Sequence, residues 1–335
     1  MTDSKGTVIV TGANGGLGSA IISQIISSPQ LSAKHHGVYT VRNVSTAHAL
    51  DAALATSSST KQATTHSHEK ISLDLLRLST VREAAANINK RVATGEIPRI
   101  HAVILNAGYE EFEKQTWTDD GLDTTFAANY LGHWLLTSSC ISSHNPHNPW
   151  NGAFKDARYN TIFAPESIDS IATGRWSSTE GDKTGWAAGY RRYGASKLCG
   201  VTTISELQRR LNQDSVFNNI SVLGIDPGLV NTGIVRQSGW VMRVLLWQLL
   251  LSAITVVSGD IIAAALKSGP PPLSARPKGL YLNVSELGVR NPEANDPAKG
   301  AMLWKRYTVL FATGRWRDIH DIFIAHDEER SLCRC

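Results

Sequence analysis

The stretch TVIVTGANGGLG, residues 7–18, decides the fold. Thr7–Thr11 is a β-branched, apolar run that reads as a strand, and Leu17–Ser27 reads as a mostly apolar helix. The turn between them is rich in glycine, and its glycines allow two spacings. Gly12, Gly16 and Gly18 spell TGxxxGxG, whereas Gly12, Gly15 and Gly18 spell TGxxGxxG. Both are nucleotide-binding patterns, and in both glycine has a physical reason. The turn takes backbone angles that a side chain forbids, and a pyrophosphate must come close to the main chain. Leu17 and Gly18 then open a helix whose positive end faces the phosphates.

Outward from this unit, strand-like and helical stretches alternate, which predicts a mostly parallel sheet covered on both faces. Val38–Arg42, Ile71–Leu73 and Ile100–Leu105 read as the next strands, Ile220–Ile225 as a late one, and GLYLN, 279–283, as the last. Ala47–Ser67 reads as a helix that runs into an exposed loop. Ser79–Val92, with Ser79 as N-cap, Asp123–Ser139 and Ser196–Leu211 read as further helices.

The chain has 335 residues, 42% hydrophobic and 19% charged, enough for a sizeable core. A net charge of +4 without a dense Lys/Arg run argues against a nucleic-acid partner. Cys140, Cys199, Cys333 and Cys335 make no disulfide framework, and the polar MTDSKG start carries no signal peptide. The expected compartment is the cytoplasm. His66, His68, His144 and His147 lie in polar or Pro/Asn-rich stretches without further ligands at metal spacing, so no metal is expected.

The end of the second strand selects a cofactor. An acid there would bind ribose hydroxyls and favour NAD; Arg42 would pair with a 2′-phosphate, so NADP(H) is expected. Asp74 follows the third strand and is placed to meet the adenine amino group. Asn106 and Gly108, in LNAG, end the fourth strand at the edge where such sheets bind ligands. Tyr193 and Lys197, in YGASK, stand four apart and share a helix face. A neighbouring ammonium favours the phenolate, so the pair suits proton exchange with a carbonyl or alcohol oxygen while a nicotinamide exchanges hydride. Tyr190 lacks such a partner, because Gly194 stands four residues on.

Taken in order, TGANGGLG at 11–18, Asp74, NAG at 106–108, Asn129 in AANYLGHWLLT, YGASK at 193–197 and DPGLVNTG at 226–233 resemble the short-chain dehydrogenase/reductase family over about residues 5–235. The general flavour is similar to reductases of filamentous fungi. The resemblance favours the TGxxxGxG spacing, since TGxxGxxG suits the longer sugar-nucleotide epimerases and dehydratases. It implies an α/β, doubly wound Rossmann-type parallel sheet in three α/β/α layers, a single domain with a C-terminal helical lid and extension. Residues 1–235 would form the dinucleotide-binding and catalytic part, and 236–335 the lid, last strand and helical extension. It implies Tyr193 as acid/base, Lys197 as holder of the nicotinamide ribose and tuner of Tyr193, and Asn129 as organiser of a proton-relay water. Gly12, Gly16, Leu17, Gly18, Arg42, Asp74, Asn106 and Gly108 would bind cofactor. Pro227, Gly228, Val230 and Thr232 would border the nicotinamide amide and diphosphate.

Two features depart from the family. Its catalytic serine follows a fifth strand, and no matching run exists here. Ser167 follows YNTIFAP, in which Tyr159–Ala164 would be the strand; Ser142 or Ser143 is the other placement. The apolar stretch 240–257 is short of the roughly 20 residues of a membrane span. It reads as a buried or substrate-covering helix, or as an interfacial helix that rests on a membrane surface through Trp240 and Trp247. The expected function is NADP(H)-dependent interconversion of a ketone or aldehyde and an alcohol on a hydrophobic small molecule. The alternative is a catalytically impaired NADP-binding relative with a regulatory role.

Overall fold

Val8, Ile9 and Val10 of Gly6–Val10 (β1) are all buried, so this strand is covered on both faces and takes the middle of a sheet. The computed structural model describes residues 6–55, 66–137, 156–159, 161–165, 167–182, 185–228, 254–266, 277–283 and 286–313. β1 pairs in parallel with His35–Val41 (β2) and with Ile100–Ile104 (β4), and β2 pairs in parallel with His68–Ser72 (β3). The order is β3-β2-β1-β4. Gly16–Ser27 (α1), Pro29–Lys34 (α2), His48–Ala55 (α3) and Leu78–Ala93 (α4) supply the crossovers.

Side chains alternate across the sheet and build two layers of core. Val8 and Val10, with Tyr39 and Val41, meet Ile21, Ile22 and Ile25 of α1 and Leu50 of α3. Ile9 and Val38 point the other way, onto Ile88 of α4 and Ile97. Beyond β4 come Thr124–Phe126 (α5) and Gly132–Thr137 (α6), joined by a π-type turn over Ala127–Leu131, then Ile168–Ala172 (α7) and Trp186–Gln213 (α8). Leu223–Asp226 (β5), Ile254–Leu266 (α9), Leu280–Asn283 (β6), Glu286–Leu287 (β7) and Pro297–Thr313 (α10) complete the described elements. β5 and β6 pair in parallel, and β7 pairs antiparallel with β6. Phe126, Tyr130, Leu198, Leu303 and Tyr307 bind α5, α8 and α10 into one cluster.

The central corrections concern the middle of the chain. Tyr159–Ala164, read as the fifth strand, is a 3₁₀ turn ending at Tyr159 followed by irregular backbone. The amides of Ile162 and Phe163 donate not to a neighbouring strand but to the two carboxylate oxygens of Glu293, at 2.8 and 3.0 Å. The described strands form a four-stranded and a three-stranded sheet. GLYLN is not the last strand, for β7 follows it. α8 begins at Trp186, after Gly185 at φ +70°, well before the expected Ser196. Ser79 lies inside α4, whose N-cap is Arg77. His66 is buried against Tyr39, whose hydroxyl meets its Nε2 at 2.8 Å, so it belongs to the core and not to a loop.

Of the expected lid, 254–266 is described, and it packs beside α1 rather than over the sheet edge. Gln24 Nε2 donates to Thr255 O at 2.5 Å, and Ile262 joins the α1 core. Residues 240–253 lie outside the described part. Among the described residues no helix is long and apolar enough to cross a membrane, and no group of side chains could hold a metal ion.

Candidate active site

The glycine turn is crowded where both spacings agree. Gly12 has φ +65°, and a Cβ there would stand 2.7 Å from Ala107 Cα. A Cβ on Gly18 would collide with Gly12 O and stand 2.9 Å from Asn106 Nδ2. Backbone of β1 and of the turn after β4 is thus in direct contact, which only glycine permits. Asn106 Nδ2 locks the contact by donating to Thr11 O at 2.9 Å and Gly12 O at 3.3 Å. Gly15 caps α1 without a side-chain bond, and the first turn holds no acid. Its free amides and positive helix end fit the diphosphate of a dinucleotide.

At the ends of β2 and β3, Arg42 Nε lies 4.0 Å from Asp74 Oδ1. Arg42 is 61% exposed, and so solvated a pair holds it weakly. The guanidinium is free to turn to an arriving anion. Asp74 Oδ1 also takes the amide of Leu76 at 3.2 Å.

Tyr193 and Lys197 share one face of α8, with Lys197 Nζ 5.5 Å from the centre of the Tyr193 ring. Asn129 sits in the π-type turn, where the helix is widened, a frequent mark of functional positions. Its Nδ2 donates to Ser196 Oγ at 3.1 Å, and Ser196 Oγ donates to Tyr193 O at 2.7 Å. The same amide clasps Tyr109 on both sides: Tyr109 N–H donates to Oδ1 and Nδ2 donates to Tyr109 O, each at 2.8 Å. Asn129 therefore ties the turn after β4 to the helix that carries Tyr193.

The electrostatics correct one expectation. Lys197 was to lower the Tyr193 pKa; instead burial raises it, and Glu110 and Asp226 add in the same direction. Lys197 itself is pushed down to about 8, by burial against the pull of Glu110 and Asp226. The ammonium and phenol are both held nearer to their neutral forms than in water.

Three participants escaped the sequence reading. Glu110 is buried beside the pair, and burial pushes its carboxyl up to about 8 while Lys197 pulls it down. His133 is buried and pushed down to about 3, by burial and then Lys197, so its ring is neutral. Its Nε2 accepts from Thr11 Oγ1 at 2.9 Å, which assigns the proton to Nδ1, facing Asn129 O at 3.4 Å. Thr11 Oγ1 in turn accepts the Ala107 amide at 3.0 Å. Gly189 is the third. A Cβ there would collide with the carbonyls of Glu111 and Phe112, so its absence lets that loop lie on α8 one turn before Tyr193.

Ser167 uses its hydroxyl locally. Oγ donates to Ile162 O at 2.5 Å or Ala164 O at 2.9 Å and accepts the Ala164 amide at 3.0 Å. Ser142, Ser143, Val230 and Thr232 lie outside the described residues. Pro227 and Gly228 follow β5, and Asp226 Oδ1 accepts the Gly228 amide at 2.9 Å.

No protein-family model matches the chain. Among curated proteins it is 37% identical over 350 residues to the short-chain dehydrogenase iccH of Talaromyces variabilis, covering 90% of this chain and 94% of that one. It is 28% identical to human retinol dehydrogenase 13, over 89% of this chain and 82% of that one. Among solved structures it is similar in fold to the carbonyl reductase Sniffer of D. melanogaster, with a TM-score of 0.52 at 15% identity over 85% of this chain and 99% of that one. A glycine turn at the head of a parallel sheet and a relative that matches nearly end to end lead to one assignment: the chain belongs to the short-chain dehydrogenase/reductase family, oxidoreductases that use a nicotinamide cofactor.

Proposed function

We propose that the protein is an NADP(H)-dependent oxidoreductase that interconverts a ketone or aldehyde and an alcohol on a hydrophobic small molecule. One observation carries the reading. Asn129 joins Tyr193's helix to the turn after β4, so an acid/base pair stands beside a dinucleotide cradle at one sheet edge. Exposed Arg42, with no acid at the end of β2, supports NADP(H) over NAD(H).

When bound, the nicotinamide supplies or accepts the hydride. Tyr193 then gives its phenolic proton to the carbonyl oxygen, or takes the alcohol proton in reverse. A desolvated phenol is a poor acid alone, so the Lys197 ammonium beside it stabilises the phenolate as it forms. Glu110 and Asp226 pull the Lys197 value upward against burial, which still holds it at about 8. Phe112, Trp186 and Tyr190 form an aromatic wall next to Tyr193, with Trp186 and Tyr190 stacked at 5.2 Å. Such a wall favours an apolar substrate.

Calorimetric titration with NADPH and NADH tests the cofactor; tighter NADH binding would remove Arg42 from its role. Turnover of a panel of apolar ketones, followed by NADPH absorbance, tests the chemistry. Tyr193→Phe is expected to lower kcat about 10²–10⁴-fold with NADPH binding retained. Full turnover by this variant would refute the mechanism. The second reading, a cofactor-binding protein without turnover, rests on the local engagement of the Ser167 hydroxyl. Binding of NADPH with no oxidation across the panel would favour it.

A further inference from the structure

Two arginines stand immediately before Tyr193 on α8, and Arg192 is 4% exposed. A guanidinium keeps its charge when buried, so its N–H groups must be answered inside the protein. The answers come from other parts of the chain. Nη2 donates to Lys114 O at 2.9 Å and to Glu111 O at 3.4 Å, both in the loop after β4. Nη1 donates to Ser177 O at 2.7 Å, in the 3₁₀ turn Arg175–Ser177 that precedes α8. Nε stands 3.1 Å from Asp123 Oδ2, on the residue that caps α5.

The loop that Arg192 grips is closed on itself. The Glu111 carboxylate accepts the Tyr109 hydroxyl at 2.8 Å and the Thr116 amide at 3.1 Å. Asn129 holds the start of the loop, and Gln115, which donates to Gly174 O at 3.2 Å, holds its end. The middle, with Phe112, is seated on α8 at Gly189, where a Cβ would stand 2.3 Å from the carbonyl oxygens of Glu111 and Phe112. At about 100° per helical residue, Arg192 and Tyr193 fall on either side of Gly189, one turn further on. Arg192 hooks the loop on one side. On the other, Phe112 meets the Tyr193 ring edge-on, with 6.4 Å between centres.

We propose that Arg192 is a positioning residue that selects the substrate by fixing Phe112 against Tyr193. The proposal rests on the function proposed above, in which Phe112 belongs to the wall beside the reacting carbon. Held by Arg192, that wall keeps a set distance from the phenol and supports a substituent of matching size. Loosened, it supports the substituent less in the ground state and the transition state alike. Affinity for the ketone then falls, while Tyr193 and Lys197, carried together on one helix, still act.

Steady-state kinetics on the full chain, with the best apolar ketone of the panel, test this. Arg192→Lys keeps the charge and loses the fork. It is expected to raise KM about tenfold, with kcat within about threefold of wild type and the NADPH dissociation constant unchanged. Phe112→Ala completes a double-mutant cycle. Arg192→Lys is expected to raise KM no further in the Phe112→Ala chain, while its cost in urea unfolding persists in both backgrounds. An unchanged KM, a fall in kcat alone, weaker NADPH binding, or effects of the two substitutions on KM that multiply would each overturn the proposal, since Arg192 would then serve only the fold. Should Arg192→Lys not fold, Arg192→Gln with Asp123→Asn removes both buried charges together, and the same readings apply. Wild-type protein that binds NADPH but turns over no ketone would instead remove the proposed function, and with it the substrate that Arg192 is to select.

Discussion

A carboxyl group shut away from water prefers to keep its proton, and Glu110 shows what this costs the ligand-free protein. Its folded value is about 8, against an ordinary 4.5. Between those values the folded state binds more protons than the unfolded one, so stability is full below pH 4.5 and declines as pH rises toward 8. Lys197 and Tyr193 are the titratable groups that interact with it, and Asp226 acts on both of these. Lys197 moves the opposite way: its value falls from 10.5 to about 8, so its own loss runs downward through that window and meets the Glu110 loss near pH 8. Glu110→Gln removes the first of these terms. The variant is expected to match wild type in urea unfolding at pH 4 and to exceed it at pH 8 by on the order of 4 kcal/mol. A difference independent of pH would mean that Glu110 is not desolvated. Nothing near Glu110 in the sequence announces this. The Tyr193–Lys197 spacing was legible because four residues of helix always bring two side chains together. The direction of the tyrosine shift was not, because burial is set by loops that arrive from elsewhere.

Elements were legible in proportion to how local their causes are. β1, the turn and α1 follow from a β-branched run, a positive-φ glycine at Gly12 and an apolar helix within a few tens of residues. The Tyr159–Ala164 stretch has the same apolar look but a different outcome, since its amides are answered by Glu293, 131 residues from Ile162. No local pattern encodes that. Glu293 is itself held by Lys299 at 2.6 Å and sits in a turn whose N-cap, Asn291, binds its amide. Glu293→Ala leaves two buried amides and a lysine without their acceptor. It is expected to cost about 3–5 kcal/mol in urea unfolding, and Glu293→Gln, which keeps one acceptor, about 1–3 kcal/mol. A loss below 1 kcal/mol for Glu293→Ala would show that water or a neighbouring group answers those amides equally well.

At the scale of the molecule, the four-stranded sheet is assembled from residues 6–104 and the second sheet from 223–287, with α5, α6 and α8 sharing a further hydrophobic cluster. The three-layer arrangement was readable from the alternation of strands and helices. The division of the described strands into two sheets was not, because no local pattern separates β1–β4 from β5–β7. Glu293 also sets a timetable. As the chain leaves the ribosome at about 5–20 residues per second, Ile162 and Phe163 wait roughly 7–26 s for the carboxylate that receives their amides. Through that interval the two amides lack the acceptor they have in the folded chain. Chains stalled on the ribosome before Glu293 are expected to be cut by thermolysin at Ile162 and Phe163, and chains stalled after α10 has emerged to resist. Equal resistance of both would place the closure of this segment earlier in synthesis. The late carboxylate leaves this segment to be closed only when most of the chain has been made.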